Sequence, residues 1–185
     1  RIAAVDVTGL SSGVKGIAVG GFHTCALLMD GGIKCWGANW HGQVGDDSKE
    51  QRYLPVDVVG LDAPAIAVAA GKYHTCALLE TGGVQCWGYN LYGQLGNNSL
   101  EDRPVPQNVY MMSSGVQAIT TGENHTCALS IVGEIWCWGN NTEGQLGIGI
   151  TDMQPIPVYV AGMGNGNLAI QAGMRFTCAT TGSST

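Results

Sequence analysis

Charge is scarce in this chain. Asp, Glu, Lys and Arg make up 12% of it, with 8 basic residues against 14 acidic ones and a net charge of −6. Nucleic-acid binding needs clustered Lys and Arg to neutralise phosphates, so nucleic acid is not an expected ligand. Long apolar runs are missing too. The best, Ala65 to Ala70, falls far short of the ~18 residues of a membrane-spanning helix. No segment signals a helix, and no secretory leader opens the chain. The first residues stand in the middle of a repeated unit, so the natural N-terminus is expected upstream and the missing leader says little. Catalytic constellations are also absent. No Ser, Cys or acid stands beside the repeated histidines in a recurring triad pattern and no carboxylate pair keeps phase, so neither an enzyme activity nor a cofactor is expected.

What is abundant is glycine, at 29 positions, well above the usual share of about 7%. With 45% apolar residues, this composition describes a tight, turn-dense folded protein rather than a disordered one. The chain is also periodic. His23-Thr24-Cys25-Ala26-Leu27 returns as His74-Thr75-Cys76-Ala77-Leu78 and as His125-Thr126-Cys127-Ala128-Leu129, with a fourth start at Phe176-Thr177-Cys178-Ala179. Each copy lies 51 residues after the last, and 185 residues hold about 3.6 such units. A period of this size signals stacked or radially arranged supersecondary units.

Within a unit, the in-phase copies predict four short strands. An alternating, glycine-bounded segment (Gly16 to Gly20, Ala65 to Gly71, Val116 to Gly122, Leu168 to Gly173) is the first. The His-Thr-Cys-Ala-Leu word is the second, and Ile33 to Trp36 with its partners is the third, joined by a glycine-containing turn. A glycine-rich loop follows, Gly37 to Gly45 in the first unit, whose in-phase Asn39, Asn90 and Asn141 are suited to bonding loop backbone. A variable polar stretch then ends at an in-phase proline (Pro55, Pro106, Pro157), after which a fourth strand is expected to start. Four strands per unit and no helix predict an all-β fold, a β-propeller of four-stranded antiparallel blades. The units run approximately 17–64, 65–115 and 116–167, flanked by the end of a blade at 1–16 and the start of one at 168–185. Together they form a single partial propeller over 1–185. No blade can bury both faces alone, so neighbours must pack face to face.

Cys25 and Cys35, Cys76 and Cys86, and Cys127 and Cys137 are each ten apart, symmetric about the hairpin turn. Directly opposite antiparallel residues have Cα atoms about 4.5–5.5 Å apart, within disulfide range. The favoured reading is three hairpin disulfides, each stabilising by roughly 2–3 kcal/mol, and hence an extracellular or periplasmic protein. The alternative is three pairs of reduced, buried cysteines. A partner for Cys178 would fall at position 188. A zinc site is disfavoured because a hairpin offers two ligands and no second pair. His23, His74 and His125 are expected to be hydrogen-bonded within their blades, and Trp36, Trp87 and Trp138 to pack between blades.

The Gly-x-x-His-Thr-Cys-Ala-Leu strand, the Trp-Gly-x-Asn-x-x-Gly-Gln-Leu-Gly loop and the 51-residue period together resemble the regulator of chromosome condensation repeat family, including its alpha-tubulin suppressor-like bacterial members. The resemblance covers essentially the whole chain and implies a seven-bladed propeller closed by overlap of its ends, of which about half is present. Two copies joined head to tail would skip the stretch matching 135–153, so the remaining blades are expected from further sequence of a longer chain. A plant photoreceptor of this family senses ultraviolet light through clustered tryptophans; here the additional ones are only Trp40 and Trp136, and that role is not expected.

Function is sought where fixed motifs vary. The loop pairs are Trp40-His41, Leu91-Tyr92 and Thr142-Glu143; before the second strand they are Gly21-Phe22, Lys72-Tyr73, Glu123-Asn124 and Met174-Arg175. Aromatic residues and Arg in such loops suit a protein interface. The candidate contact residues are Phe22, Trp40, His41, Lys72, Tyr73, Leu91, Tyr92 and Arg175, on an exported, non-enzymatic scaffold that binds another protein through loops on one face. The resemblance also implies two alternatives. One is guanine-nucleotide exchange on a small GTPase, which some relatives perform with a wedge inserted between blades that units of uniform length do not contain. The other is inhibition of a secreted enzyme such as a β-lactamase. Non-reducing peptide mass spectrometry should yield three linked Cys-x9-Cys hairpin peptides from protein prepared without reductant; free thiols there would return the cysteines to the reduced reading.

Overall fold

A computed structural model describes residues 5–182, leaving the outermost ends of the first and last units, 1–4 and 183–185, outside the described residues. The first blade is β1 (Val14–Val19), β2 (His23–Leu28), β3 (Ile33–Gly37) and β4 (Arg52–Asp57). The second is β5 (Ala65–Ala70), β6 (His74–Leu79), β7 (Val84–Gly88) and β8 (Arg103–Asn108). The third is β9 (Val116–Thr121), β10 (His125–Ser130), β11 (Ile135–Gly139) and β12 (Gln154–Tyr159). A hairpin of β13 (Asn167–Ala172) and β14 (Thr177–Thr181) follows. Each blade is a four-stranded antiparallel meander in sequence order. No helix occurs among the described residues.

The first strands β1, β5, β9 and β13 pack against one another in succession, which places them on the inside of the fan of blades. The core lies between blades rather than within them. Cys25, Leu27, Ile33, Cys35 and Val44 of the first blade face Ala65, Ala77, Leu79 and Trp87 of the second, and the same pattern recurs at the next junction. The second strand therefore serves two interfaces by its period of two. In β6, Cys76 and Leu78 face forward while Ala77 and Leu79 face backward. The hairpin disulfides Cys25–Cys35, Cys76–Cys86 and Cys127–Cys137 form at directly paired positions and sit inside these junctions, fully buried.

Hydrogen bonds fix how one blade meets the next. His23 Nε2 lies 2.7 Å from Thr75 Oγ1, His74 Nε2 3.0 Å from Thr126 Oγ1, and His125 Nε2 3.0 Å from Thr177 Oγ1. The histidines thus bond to the next blade, not within their own as the sequence suggested. A repeat displays the same word in every unit, so it cannot say whether a conserved pair meets inside one copy or across two. Each threonine hydroxyl has one proton, and it goes to a carbonyl of the preceding loop: Thr75 to Gln43 O at 2.8 Å, Thr126 to Gln94 O at 3.0 Å, Thr177 to Gln145 O at 2.9 Å. The threonine must then accept from histidine, so Nε2 carries the proton and Nδ1 is bare. All three Nδ1 atoms are buried without a hydrogen-bond partner among the described residues.

The glycine three residues before each histidine has a related cause. A Cβ on Gly71 would lie 2.5 Å from His74 Nδ1, with Gly122 O 2.7 Å away on the other side. The ring occupies the space a side chain would need. Another correction concerns the outer strand. Pro55 lies inside β4 rather than at its start, and β8 and β12 each hold two prolines. Val56 pairs with Cys35 and Val58 N donates to Ile33 O at 2.9 Å, so Pro55 turns its nitrogen to the open edge. A missing N–H does no harm there and blocks edge-to-edge pairing.

Burial lowers the pKa of His23 and His125 to about 4 and that of His74 to about 3. The unfolded chain takes up these protons near pH 6.5, so it binds more protons than the native state below that value. Stability is complete above about pH 6.5 and falls as pH drops toward 4, by about 2 kcal/mol per histidine at pH 5. Urea titrations should show the midpoint dropping between pH 7 and pH 5, and a His74→Gln variant should show a smaller drop; a midpoint independent of pH over that range would contradict the buried neutral rings. Gly71→Ala should destabilise by more than about 2 kcal/mol, read as a lower urea midpoint at pH 7.

Candidate interaction face

The turn before each second strand and the loop after each third strand lie on one side of the fan, tied by backbone. Ala38 N donates to Phe22 O, Tyr89 N to Tyr73 O and Asn140 N to Asn124 O, at 2.8–2.9 Å. This requires close approach at the glycine after tryptophan. Gly88, at φ 101°, would carry a Cβ only 2.5 Å from Tyr73 O, so no side chain fits. The loop itself is braced from inside. Asn39 Oδ1 accepts from Val44 N at 2.9 Å and its Nδ2 donates to Ser48 O at 3.1 Å. Gln43 Oε1 accepts from His41 N at 3.0 Å. Asn90 and Gln94, then Asn141 and Gln145, repeat the arrangement one and two blades on.

Successive blades bring the variable positions of one unit against those of the next. Phe22 stacks on Tyr73, centroids 5.1 Å apart and rings 3° from parallel. Trp40 leans on both at 6.1 and 6.2 Å. His41 lies 5.3 Å from Tyr73 and 4.5 Å from Tyr89, and Tyr89 meets Tyr92 edge-on at 6.1 Å. Phe22 and Trp40 nevertheless remain half exposed, at 49% and 50%. The His41 ring is anchored by its Nδ1, 2.7 Å from Asp102 Oδ2, and Asp102 Oδ1 also accepts from Asn90 N at 2.9 Å.

The far side of the face is charged. Lys72 Nζ is 2.5 Å from Glu123 Oε1, and Arg175 Nε is 3.3 Å from Glu123 Oε2. Arg175 Nη1 also reaches Glu143 Oε1 at 3.6 Å. The Glu123 side chain is only 9% exposed. The hydrogen bond from Lys72 leads in holding the Glu123 carboxyl below its ordinary pKa, and the same bond raises that of Lys72. Lys72 also sits 5.7 Å from the Tyr73 ring centroid. Between the aromatic and charged halves lies a cavity of about 420 Å³.

Of the eight sequence-predicted contact residues, six line this cavity: Trp40, His41, Lys72, Tyr73, Tyr92 and Arg175. Phe22 joins through its stack on Tyr73. Leu91 is 55% exposed and does not line it. Sequence reasoning missed three contributors. Tyr89 occupies the variable position of the Trp-Gly-x-Asn motif, in phase with Ala38 and Asn140, so its signal was available. Glu123 stands in a variable pair but was not chosen as a contact. Asp102 lies in the unphased polar stretch, and only the fold shows that it meets His41.

Models of the regulator of chromosome condensation (RCC1) repeat match residues 14–43, 65–94 and 116–145, and in a second framing 30–78, 81–129 and 132–180. Among curated relatives, the chain is 35% identical over 157 residues to the mitochondrial RCC1 domain-containing protein RUG3 of Arabidopsis thaliana, covering 83% of this chain and 35% of that protein. It is 34% identical over 173 residues to the ultraviolet-B receptor UVR8 of the same plant, covering 91% and 39% respectively. It therefore spans little more than a third of the length of these relatives. Human WBSCR16 superposes with a TM-score of 0.80 at 26% identity, covering 93% of this chain and 45% of that one. Saccharomyces cerevisiae Prp20p, described with binding properties to Gsp1p and histones, superposes at 0.81 with 21% identity and the same coverages. With three repeats matched across most of its length and the blade geometry of solved RCC1 propellers, the chain belongs to the regulator of chromosome condensation (RCC1) repeat family.

Proposed function

We propose that the chain is a non-enzymatic propeller scaffold that binds another protein through the loop face described above. The observation that carries this reading is the ring cluster of Phe22, Trp40, His41, Tyr73, Tyr89 and Tyr92 beside a polar cavity, with Phe22 and Trp40 half-exposed and the other rings partly buried. Aromatic anchors set in a polar rim are what protein interfaces concentrate. The three buried disulfides support a working place in an oxidising compartment, outside the cell or in a periplasm. In this reading, other sequence of the parent protein supplies the remaining blades.

Tyr73→Ala and Tyr92→Ala, separately and together, test the face. Both side chains are half-buried rim residues outside the inter-blade cores, so thermal unfolding should shift by a few degrees at most. Affinity for a cognate partner should fall at least tenfold in the double variant, measured by calorimetry or surface binding. Unchanged affinity would move the interface elsewhere.

A further inference from the structure

The cavity on the loop face suits a ligand rich in hydroxyl groups better than a side chain of either charge, and we infer that it binds a neutral sugar ring. This goes beyond the docking reading and stands without it. Apart from the titratable His41, its charged lining among the described residues is Lys72, Arg175 and Glu123. These groups are already bonded to one another. Lys72 holds one oxygen of the Glu123 carboxylate and Arg175 the other. A cationic ligand would meet two cations and a carboxylate that is only 9% exposed. An anionic ligand would have to draw those cations away from Glu123. It would gain nothing from the rings of Trp40, Tyr73, Tyr89 and Tyr92 on the aromatic half, since the face of a ring is its negative part.

The uncharged lining asks for hydroxyls. Asn140 Oδ1 accepts from Thr142 N at 3.0 Å, and Gln145 Oε1 accepts from Glu143 N at 2.9 Å. Both amides are thus oriented by backbone and offer their NH2 groups as donors. Asn124 adds a third amide and Thr142 a hydroxyl. Glu123, with one cation on each oxygen, keeps lone pairs for a further donor. A hydroxyl both donates and accepts, so a ring that carries several of them can answer this mixed set. A peptide side chain brings one polar end and would leave the other groups desolvated and unpaired, at a cost for each. The remaining requirement is apolar. Trp40 is half exposed and meets Phe22 and Tyr73 at 56° and 58° rather than in a parallel stack, which leaves its indole as a platform for the C–H face of a sugar. The volume of about 420 Å³ lies within the ~300–1,000 Å³ of small-ligand sites.

The repeat supplies its own test substitutions. Position 40 corresponds to Thr142 in the third unit and position 140 to Ala38 in the first, so Trp40→Thr and Asn140→Ala introduce residues that the same loop already carries elsewhere. The intact chain, applied to a printed array of neutral and acidic oligosaccharides, should retain neutral ones. Calorimetry with a retained sugar should show the dissociation constant raised at least fivefold by Trp40→Thr and at least threefold by Asn140→Ala, with urea midpoints unchanged. Inhibition of array binding by the soluble sugar would assign the ligand to a free saccharide, and inhibition only by the same sugar coupled to a carrier protein would assign it to a protein-borne glycan; either result supports the sugar ring. Retention of acidic sugars alone, retention of none, or equal affinity in both variants overturns it and leaves the docking face to its own Tyr73 and Tyr92 variants.

Discussion

The main-chain carbonyl of Gln43 accepts from two donors of the next blade, the Thr75 hydroxyl at 2.8 Å and the Trp87 indole N–H at 3.0 Å. Gln94 does the same for Thr126 and Trp138 one blade on. The rest of the structure depends on this junction. Apolar blade faces attract without specifying a register, whereas a carbonyl with two directed partners, one of which also receives a histidine from the first blade, permits only one. The surrounding glycines follow from it. A Cβ on Gly45 would lie 2.6 Å from Trp87 Nε1, and one on Gly96 2.7 Å from Trp138 Nε1. The indole reaches its acceptor because nothing stands in that place.

Because the junction takes up the fixed letters of the motif, variation is confined to positions that it does not use. Residues 22, 40 and 41 and their counterparts are free to differ from blade to blade, and they do. The result is a face with two halves of unlike chemistry on an almost symmetric frame. Aromatic choices cluster on the first two blades, and charged or amide choices on the third blade and the following hairpin, joined by Lys72 of the second blade. Blade stacking and the variable face are thus written in separate columns of the same repeat.

That separation explains what could be read from the chain and what could not. The period, the four strands, the antiparallel meander and the Cys–Cys pairing followed from spacing alone, since local alternation and turn symmetry determine them. The positions of Phe22, Trp40, His41 and Tyr73 at the face were also legible as exceptions inside a constant motif. The partner of each histidine was not. His23 meets a threonine 52 residues away, and any single unit contains a threonine next to its own histidine. The place of Pro55 within β4 was missed because a proline usually ends a ladder, and only the outward turn of its nitrogen at a free edge makes it acceptable. Asp102 carries no phase at all, so its pairing with His41 exists only in three dimensions.

The glutamine loop joins the two columns. Its carbonyl holds the next blade, while its side chain accepts from the backbone N–H of the residue that the face varies: His41 for Gln43, Tyr92 for Gln94, Glu143 for Gln145. The same residue also sits fully or almost fully buried in each blade. Blade stacking by itself therefore orders the loop. Interfaces lose affinity chiefly to the freedom they must give up on binding, and a loop tied at its backbone to the core has little left to lose. The aromatic rings on it gain little from further burial within the fold, yet they are held where another surface can reach them. The glutamine tie fixes the backbone that carries Trp40 and His41, and Trp40 stands half-exposed on it.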